Sequence, residues 1–183
     1  MEKTSAKKKS SQNHLKTRNM SLRIPEYVAE DFDAVAQKHN INSNILLGQI
    51  VMHYIGYDGK AGSAGFVAFQ KSMLVKLMDG CTEEKIISLA QEVSKDVMTD
   101  AMAILKKEYT VESYLDVIQS WARVSNIPFR HVVKGALNTC VVQHNMGKNW
   151  SLYLGHLYKN VIEELTQKKV SLTSSNNSVR FMF

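Results

Sequence analysis

The stretch Asn19-Met20-Ser21-Leu22-Arg23-Ile24-Pro25 decides the fold of the first part of the chain. Polar and apolar residues alternate strictly along it. This alternation predicts a β-strand with one buried face, because successive side chains of a strand point to opposite sides. Pro25 ends the strand, since proline has no N–H group to donate to a neighbouring strand. The apolar face consists of Met20, Leu22 and Ile24, and the polar face of Asn19, Ser21 and Arg23.

Two helices are predicted after this strand. Apolar residues recur at helical spacing after Pro25 and indicate a first helix that closes near Asn40. A second helix starts with Asn42 or Ser43 as its N-cap, since both side chains can accept a hydrogen bond from an unpaired N–H group. Its apolar side comprises Leu46, Leu47, Ile50, Val51, Tyr54 and Ile55.

The order strand, helix, helix resembles the ribbon-helix-helix family of the methionine and Arc repressors over residues 17–57. One strand of this length has nothing to pair with, and one such unit buries too little surface to be stable. In the family, two chains intertwine and their strands pair antiparallel into one ribbon. The resemblance therefore implies an obligate homodimer, with a tetramer as a further option, and it places Met20, Leu22 and Ile24 in the shared core.

The resemblance also implies that the ribbon enters the major groove of double-stranded DNA. Asparagine, serine and arginine side chains can bond base edges there, so Asn19, Ser21 and Arg23 are the expected base contacts. The expected phosphate contacts are Lys16, Arg18, Ser43 and Asn44. The turn before the second helix departs from the family pattern, because Asn40 replaces the usual glycine and no arginine follows the cap. We therefore expect this turn to bind phosphate more weakly than in the family.

The excess positive charge is concentrated at the start of the chain. Residues 1–25 contain seven of the 23 basic side chains and one of the 17 acidic ones, so the net charge of +6 arises there. Residues 1–16 are rich in lysine and serine with almost nothing apolar, which predicts a disordered basic arm. Such an arm suits an approach to phosphates.

The rest of the chain predicts a second unit of α+β class. Glycines spaced through residues 56–65 indicate a flexible linker, placed at 58–65, before a domain at 66–183. Thr82 caps a long helix that runs to about residue 107. Further predicted elements are a helix at 111–125, a strand or hairpin at 129–144, a helix at 148–167 and two short strands at 170–173 and 179–183. The fold class is then α+β: a ribbon-helix-helix unit, followed by helices on a small, mainly antiparallel sheet.

The second domain offers one candidate ligand set. Cys140, His144 and His156, with His131 nearby, are residue types that bind zinc or nickel, so a transition metal is a candidate although no cofactor is required. Scattered histidines are more often surface or hydrogen-bonded core residues. The turn and helix start at 144–151 suit an anionic ligand, a dimer contact or a simple connection. No catalytic motif is evident, so an enzyme is not expected.

These features predict a sequence-specific transcriptional regulator, a repressor or an activator. Two alternatives remain open: an antitoxin that binds its own operator and a toxin, and a ligand- or metal-binding module that the N-terminal unit merely dimerises. The chain has no apolar run long enough for a membrane span and no signal-peptide pattern at its start. A cytoplasmic, nucleoid-associated protein without membrane contact is therefore expected.

Overall fold

A computed structural model describes residues 17–183 and has a mixed α+β fold. The chain divides into two compact units, with the boundary between Leu46 and Leu47. The expected basic arm and Lys16 lie outside the described residues. The helices are α1 (Glu26–Lys38), α2 (Ser43–His53), α3 (Gly59–Ala61), α4 (Lys71–Asp79), α5 (Glu83–Lys95), α6 (Val97–Leu105), α7 (Val111–Val124) and α8 (Lys148–Thr166), and the strands are β1 (Phe129–Lys134), β2 (Leu137–Val142), β3 (Ser171–Ser174) and β4 (Val179–Met182).

The two helices predicted after Pro25 are present as α1 and α2. The Pro25 carbonyl accepts the first helical N–H bonds of α1, from Val28 at 3.0 Å and Ala29 at 3.1 Å. The chain leaves α1 through Asn40, whose φ of 54° lies in the left-handed region that asparagine tolerates. Asn42 then caps α2, because its Oδ1 accepts the Ile45 N–H at 2.8 Å. Of the two predicted caps, Asn42 is therefore the one used.

Residues 17–25 belong to no helix and no sheet in the described chain. The predicted strand does not form on its own, because a strand is held by hydrogen bonds to a neighbouring strand and one chain supplies none here. The ribbon of two chains thus stays a prediction.

The segment expected as a flexible linker is partly helical. Tyr54–Asp58 form a π-helical turn that continues into α3. Tyr57 is buried in the core of the second unit, and Ala61, Ala64 and Phe66 pack against that core. The glycines of this segment suggested flexibility, whereas aromatic and alanine residues between and beside them pack apolar surface against the core.

The long helix predicted after Thr82 is interrupted. Thr82 Oγ1 accepts the Lys85 N–H at 3.3 Å, so the predicted cap of α5 is confirmed. The helix breaks at Asp96, and α6 begins at the next residue. Two hydroxyls bond helical carbonyls around the break, Ser94 Oγ to Gln91 at 2.8 Å and Thr99 Oγ1 to Lys95 at 2.9 Å. Such side-chain bonds compete with the helical backbone and bend it, which apolar spacing alone does not predict.

The second unit contains a four-stranded antiparallel sheet in the order β1-β2-β4-β3. The segment predicted as a strand or hairpin at 129–144 therefore forms the β1–β2 hairpin, and the two predicted C-terminal strands are confirmed. Helix α7 ends at Val124, close to the predicted end, and α8 closely matches the predicted helix at 148–167. Helix α8 packs on α5, β3 and β4. Its Gly155 faces Leu172 of β3 so closely that a Cβ atom at 155 would lie 3.0 Å from Leu172 Cδ2.

Candidate functional site

The predicted base-contacting side chains are accessible. Asn19, Ser21 and Arg23 are all exposed, as is Arg18. Neither arginine forms a salt bridge with any residue in 17–183. Their guanidinium groups are therefore available to phosphate or to base edges, the groups that arginine binds through paired hydrogen bonds.

The apolar side chains between these polar ones are uncovered. The exposed fractions are 87% for Met20, 61% for Leu22 and 40% for Ile24. Helix α2 is apolar over much of its surface, yet none of its residues is buried. A helix that is apolar all round is normally enclosed by other protein. Exposed apolar residues such as those of the alternating segment and those of α2 are typical of surfaces that contact other proteins.

The charge of the first unit is uneven. Helix α1 carries Glu26, Glu30, Asp31 and Asp33 against one basic residue, Lys38. The described basic residues before it are Arg18 and Arg23, whereas most of the excess lysines fall in residues 1–16. Attraction to a polyanion along this part of the chain therefore depends on the segment before Pro25.

The start of α2 differs from the expected phosphate site in one respect. Ser43 and Asn44 are the first two residues of α2, where unpaired N–H groups accumulate. However, Ser43 Oγ donates a hydrogen bond to the Asp33 carboxylate of α1. This contact occupies the serine hydroxyl and brings negative charge to the helix start, which weakens it as a phosphate site.

Cys140, His144 and His156 are not grouped as a set of metal ligands in the described part of the chain. Among residues 17–183, no group of three or more histidine, cysteine or acidic side chains is arranged to hold a metal ion. Cys140 is fully buried in β2, and burial raises its pKa to about 12, so the thiol stays protonated. His131, the fourth residue considered, bonds Asn138 Oδ1 across the β1–β2 hairpin at 2.8 Å. The sequence suggested that these cysteine and histidine side chains converge, and no such group is found among the described residues.

His144 instead organises the turn that leads into α8. Its Nδ1 accepts the Met146 N–H at 3.0 Å, so Nε2 carries the proton and donates to Ser151 Oγ at 2.8 Å. Gly147 makes the turn with a φ of 88°, in the left-handed region. Ser151 is buried and engaged by His144, so it is not presented to an anion. Of the three roles considered for residues 144–151, the observed contacts match that of a connection.

The sequence did not point to a cavity of about 610 Å³ in the second unit. Its wall is formed by the segment around Tyr57–Lys71 and by residues of α6, α7 and α8. Both tryptophans of the chain, Trp121 and Trp150, line it. Apolar spacing marked many of these residues as buried, but it does not reveal that the elements leave a space between them.

Two tyrosines of this cavity have unpaired hydroxyls. Tyr114 and Tyr158 are 1% and 3% exposed, and neither hydroxyl has a hydrogen-bond partner among residues 17–183. Their rings meet edge to face, with centroids 6.5 Å apart. A buried hydroxyl without a partner costs about 1–3 kcal/mol, so such groups are seldom left unpaired without a reason.

No helix within residues 17–183 is long and apolar enough to cross a bilayer. Comparisons of the chain with known protein families, with characterised proteins and with solved structures give no significant match.

Proposed function

We propose that this protein is a sequence-specific regulator of transcription that binds double-stranded DNA as a dimer. In the proposed complex, residues 19–24 of two chains pair into an antiparallel ribbon in the major groove. Asn19, Ser21 and Arg23 contact the bases, because these side chains lie on the outward face of such a ribbon. Residues before Asn19 contact phosphates.

The observation that carries this proposal is the combination of alternation and exposure in residues 19–24. The polar members are exposed and available to bases, and the apolar members are exposed although alternation marks them for burial. Pairing with a second copy would explain the exposure of both sets of side chains, since it buries the apolar face and leaves the polar face outward. The two helices that follow, joined by the left-handed Asn40 and capped by Asn42, match the helices such a dimer needs.

The test begins with selection of bound duplexes from a random pool by the full-length protein. Fluorescence anisotropy then measures affinity for the selected site and for a scrambled duplex across a salt series. We expect Arg23→Ala to weaken binding to the selected site by about 1–3 kcal/mol. Its effect on the affinity for the scrambled duplex should be much smaller. Lys38→Ala is the matched control, because it removes an exposed positive charge at the far end of α1.

A second variant separates base contacts from phosphate contacts. Replacing Lys7, Lys8 and Lys9 by glutamine should weaken binding to both duplexes alike and reduce the salt dependence. If Arg23→Ala leaves affinity and site preference unchanged, the ribbon does not contact the bases as proposed. If the protein binds neither duplex at low salt, the DNA-binding proposal itself fails.

A further inference from the structure

The four-stranded sheet has one covered face and one uncovered face. On the covered face, a Cβ atom at Gly155 of α8 would touch Leu172, and the ring centroids of Phe181 and Tyr158 are 5.2 Å apart. Side chains alternate between the faces along each strand, so the register assigns the remaining residues to one face or the other. None of the residues on the uncovered side is buried. We call this side the outer face, and it includes Arg130 and Lys134 of β1, Val141 of β2, Thr173 of β3 and Arg180 of β4.

The outer face carries charge of one sign. Its ionisable residues are Arg130, Lys134 and Arg180, and all three are exposed. The four strands contain no aspartate or glutamate. None of the three cations forms a salt bridge within the described part of the chain. The outer face therefore attracts anions without competition from acidic side chains of the sheet.

Two of these cations lie in one row across the strands. Arg130 is in register with Val141, and Val141 is in register with Arg180. Because neighbouring strands are about 4.8 Å apart, the two arginine backbones are separated by about 10 Å. Thr173 continues the row beside Arg180. Such a row suits a chain of phosphates better than one small anion, since each guanidinium group can bond a different phosphate.

The uncharged residues of the outer face indicate which polyanion it suits. No aromatic side chain lies on this face of the described sheet, so it lacks the rings on which proteins stack the bases of single strands. Thr139, Ser171 and Thr173 add hydroxyl groups, which contact DNA phosphates as arginine and lysine do. These residue types favour the backbone of a duplex, and contacts with phosphates carry no direct sequence information.

We propose that the outer face of the sheet is a further DNA-binding surface, which holds the phosphate backbone of double-stranded DNA through Arg130, Lys134 and Arg180. The choice of DNA over an acidic protein rests on the proposed function, because a regulator of transcription meets duplex DNA. The surface itself does not involve residues 19–24. The ribbon and the outer face therefore fail or succeed separately.

The first measurement uses a scrambled duplex, which the ribbon cannot recognise by sequence. Fluorescence anisotropy across a salt series compares the full-length protein with the triple variant Arg130→Gln, Lys134→Gln and Arg180→Gln. Each neutralised phosphate contributes about 0.9 to the slope of log affinity against log salt, so the triple variant should lower that slope by about 2–3.

A matched control removes the same charge elsewhere. Lys76, Lys95 and Arg123 are exposed on α4, α5 and α7, and their replacement by glutamine should change the slope much less. Equal effects of the two triple variants would mean that only the net charge matters, which overturns the proposal. An unchanged slope in the outer-face variant overturns it as well.

A measurement on the unaltered protein avoids any effect of substitution on folding. Acetic anhydride labels exposed lysines, and mass spectrometry compares the labelling with and without the scrambled duplex. We expect the duplex to protect Lys134 severalfold more than Lys76 or Lys95. Equal protection of the three lysines contradicts the proposed surface.

Two further comparisons separate this surface from the ribbon and from an acidic protein. In a background with Arg23→Ala and glutamine at positions 7–9, the outer-face substitutions should still lower the salt slope, whereas loss of all duplex binding in that background overturns the proposal. If Arg23→Ala alone changes nothing while the outer-face variant lowers the slope, the ribbon fails and the outer face stands. If poly-L-glutamate of equal charge displaces the duplex as well as unlabelled duplex does, the choice of DNA is wrong.

Discussion

At the scale of single residues, the surroundings of His144 restrict its protonation state. Burial, followed by the nearby charge of Lys71, lowers its pKa from 6.5 to about 4. Both ring nitrogens are hydrogen-bonded in the neutral form, to the Met146 N–H and to Ser151 Oγ. Protonation of Nδ1 would remove the acceptor for the Met146 N–H. His144 therefore stabilises the turn before α8 in its neutral form.

This arrangement predicts a pH dependence of stability. The unfolded chain takes up a proton at His144 near pH 6.5, whereas the folded chain does so only near pH 4. The folded state is therefore favoured above pH 6.5 and loses stability as the pH falls from 6.5 to 4, by at most about 3 kcal/mol.

Urea unfolding at a series of pH values measures this effect. His144→Asn should remove this part of the slope between pH 6.5 and 4, and it should also be less stable at neutral pH because the bond to Ser151 is lost. The exposed His39 provides the control, so His39→Asn should keep the slope. An unchanged slope in His144→Asn would mean that His144 is not the group responsible.

At the scale of elements, α8 packs closely against β3 at Gly155. Gly155 lets the helix approach Leu172, whose Cδ1 and Cδ2 would lie 3.3 and 3.0 Å from an added Cβ. In a helix, alanine is normally more stable than glycine by about 0.5–1 kcal/mol. Here the absence of a methyl group at residue 155 leaves room for Leu172. The usual gain in stability from alanine should therefore disappear.

A double-mutant cycle tests this packing. We expect Gly155→Ala to be neutral or destabilising, because the leucine must shift. In the Leu172→Ala background the space is available, and the same substitution should stabilise by about 0.5–1 kcal/mol relative to that background. Chemical unfolding of the four proteins gives the coupling. Equal effects of Gly155→Ala in both backgrounds would show that the contact does not restrict residue 155.

At the scale of the whole molecule, the first unit leaves several apolar residues uncovered. Met20, Leu22 and Ile24 are exposed, as are Val35 of α1 and Ile45 of α2. A second copy of the same chain can cover such a surface with the same surface of its own, as in symmetric dimers. Dimerisation is thus a proposal about assembly that accompanies the proposed DNA binding.

Neighbouring substitutions on opposite faces of the proposed ribbon test the assembly. In sedimentation, the unaltered chain should have twice its mass of 20.7 kDa. Leu22→Asp should shift the protein to the monomer, since a carboxylate would be buried in the shared core. Ser21→Asp adds the same charge on the outward face and should remain a dimer. If both variants keep the mass of the unaltered protein, residues 19–24 do not form the dimer core.

Local signals in the sequence determined much of the element order. Thr82 indicated one helix start, and Asn42 or Ser43 indicated another, because a cap bonds N–H groups only a few residues away. Asn40 indicated the turn between α1 and α2 because its side chain tolerates a left-handed backbone. Apolar periodicity identified α1, α7 and α8, and short β-branched runs bounded by turn residues identified the antiparallel strands, since these patterns record which face of an element is buried.

Only the tertiary structure decided which of those faces meet. Glycines suggested a linker at 58–65, and the structure places the short helix α3 there, with packed residues between and beside the glycines. Histidine and cysteine suggested a shared site, yet His144 bonds Ser151 and Cys140 lies buried in the sheet. The cavity with its unpaired tyrosine hydroxyls arises where segments far apart in sequence leave a space. Periodicity tells which side of an element is apolar, whereas contacts between distant residues depend on how all the elements pack.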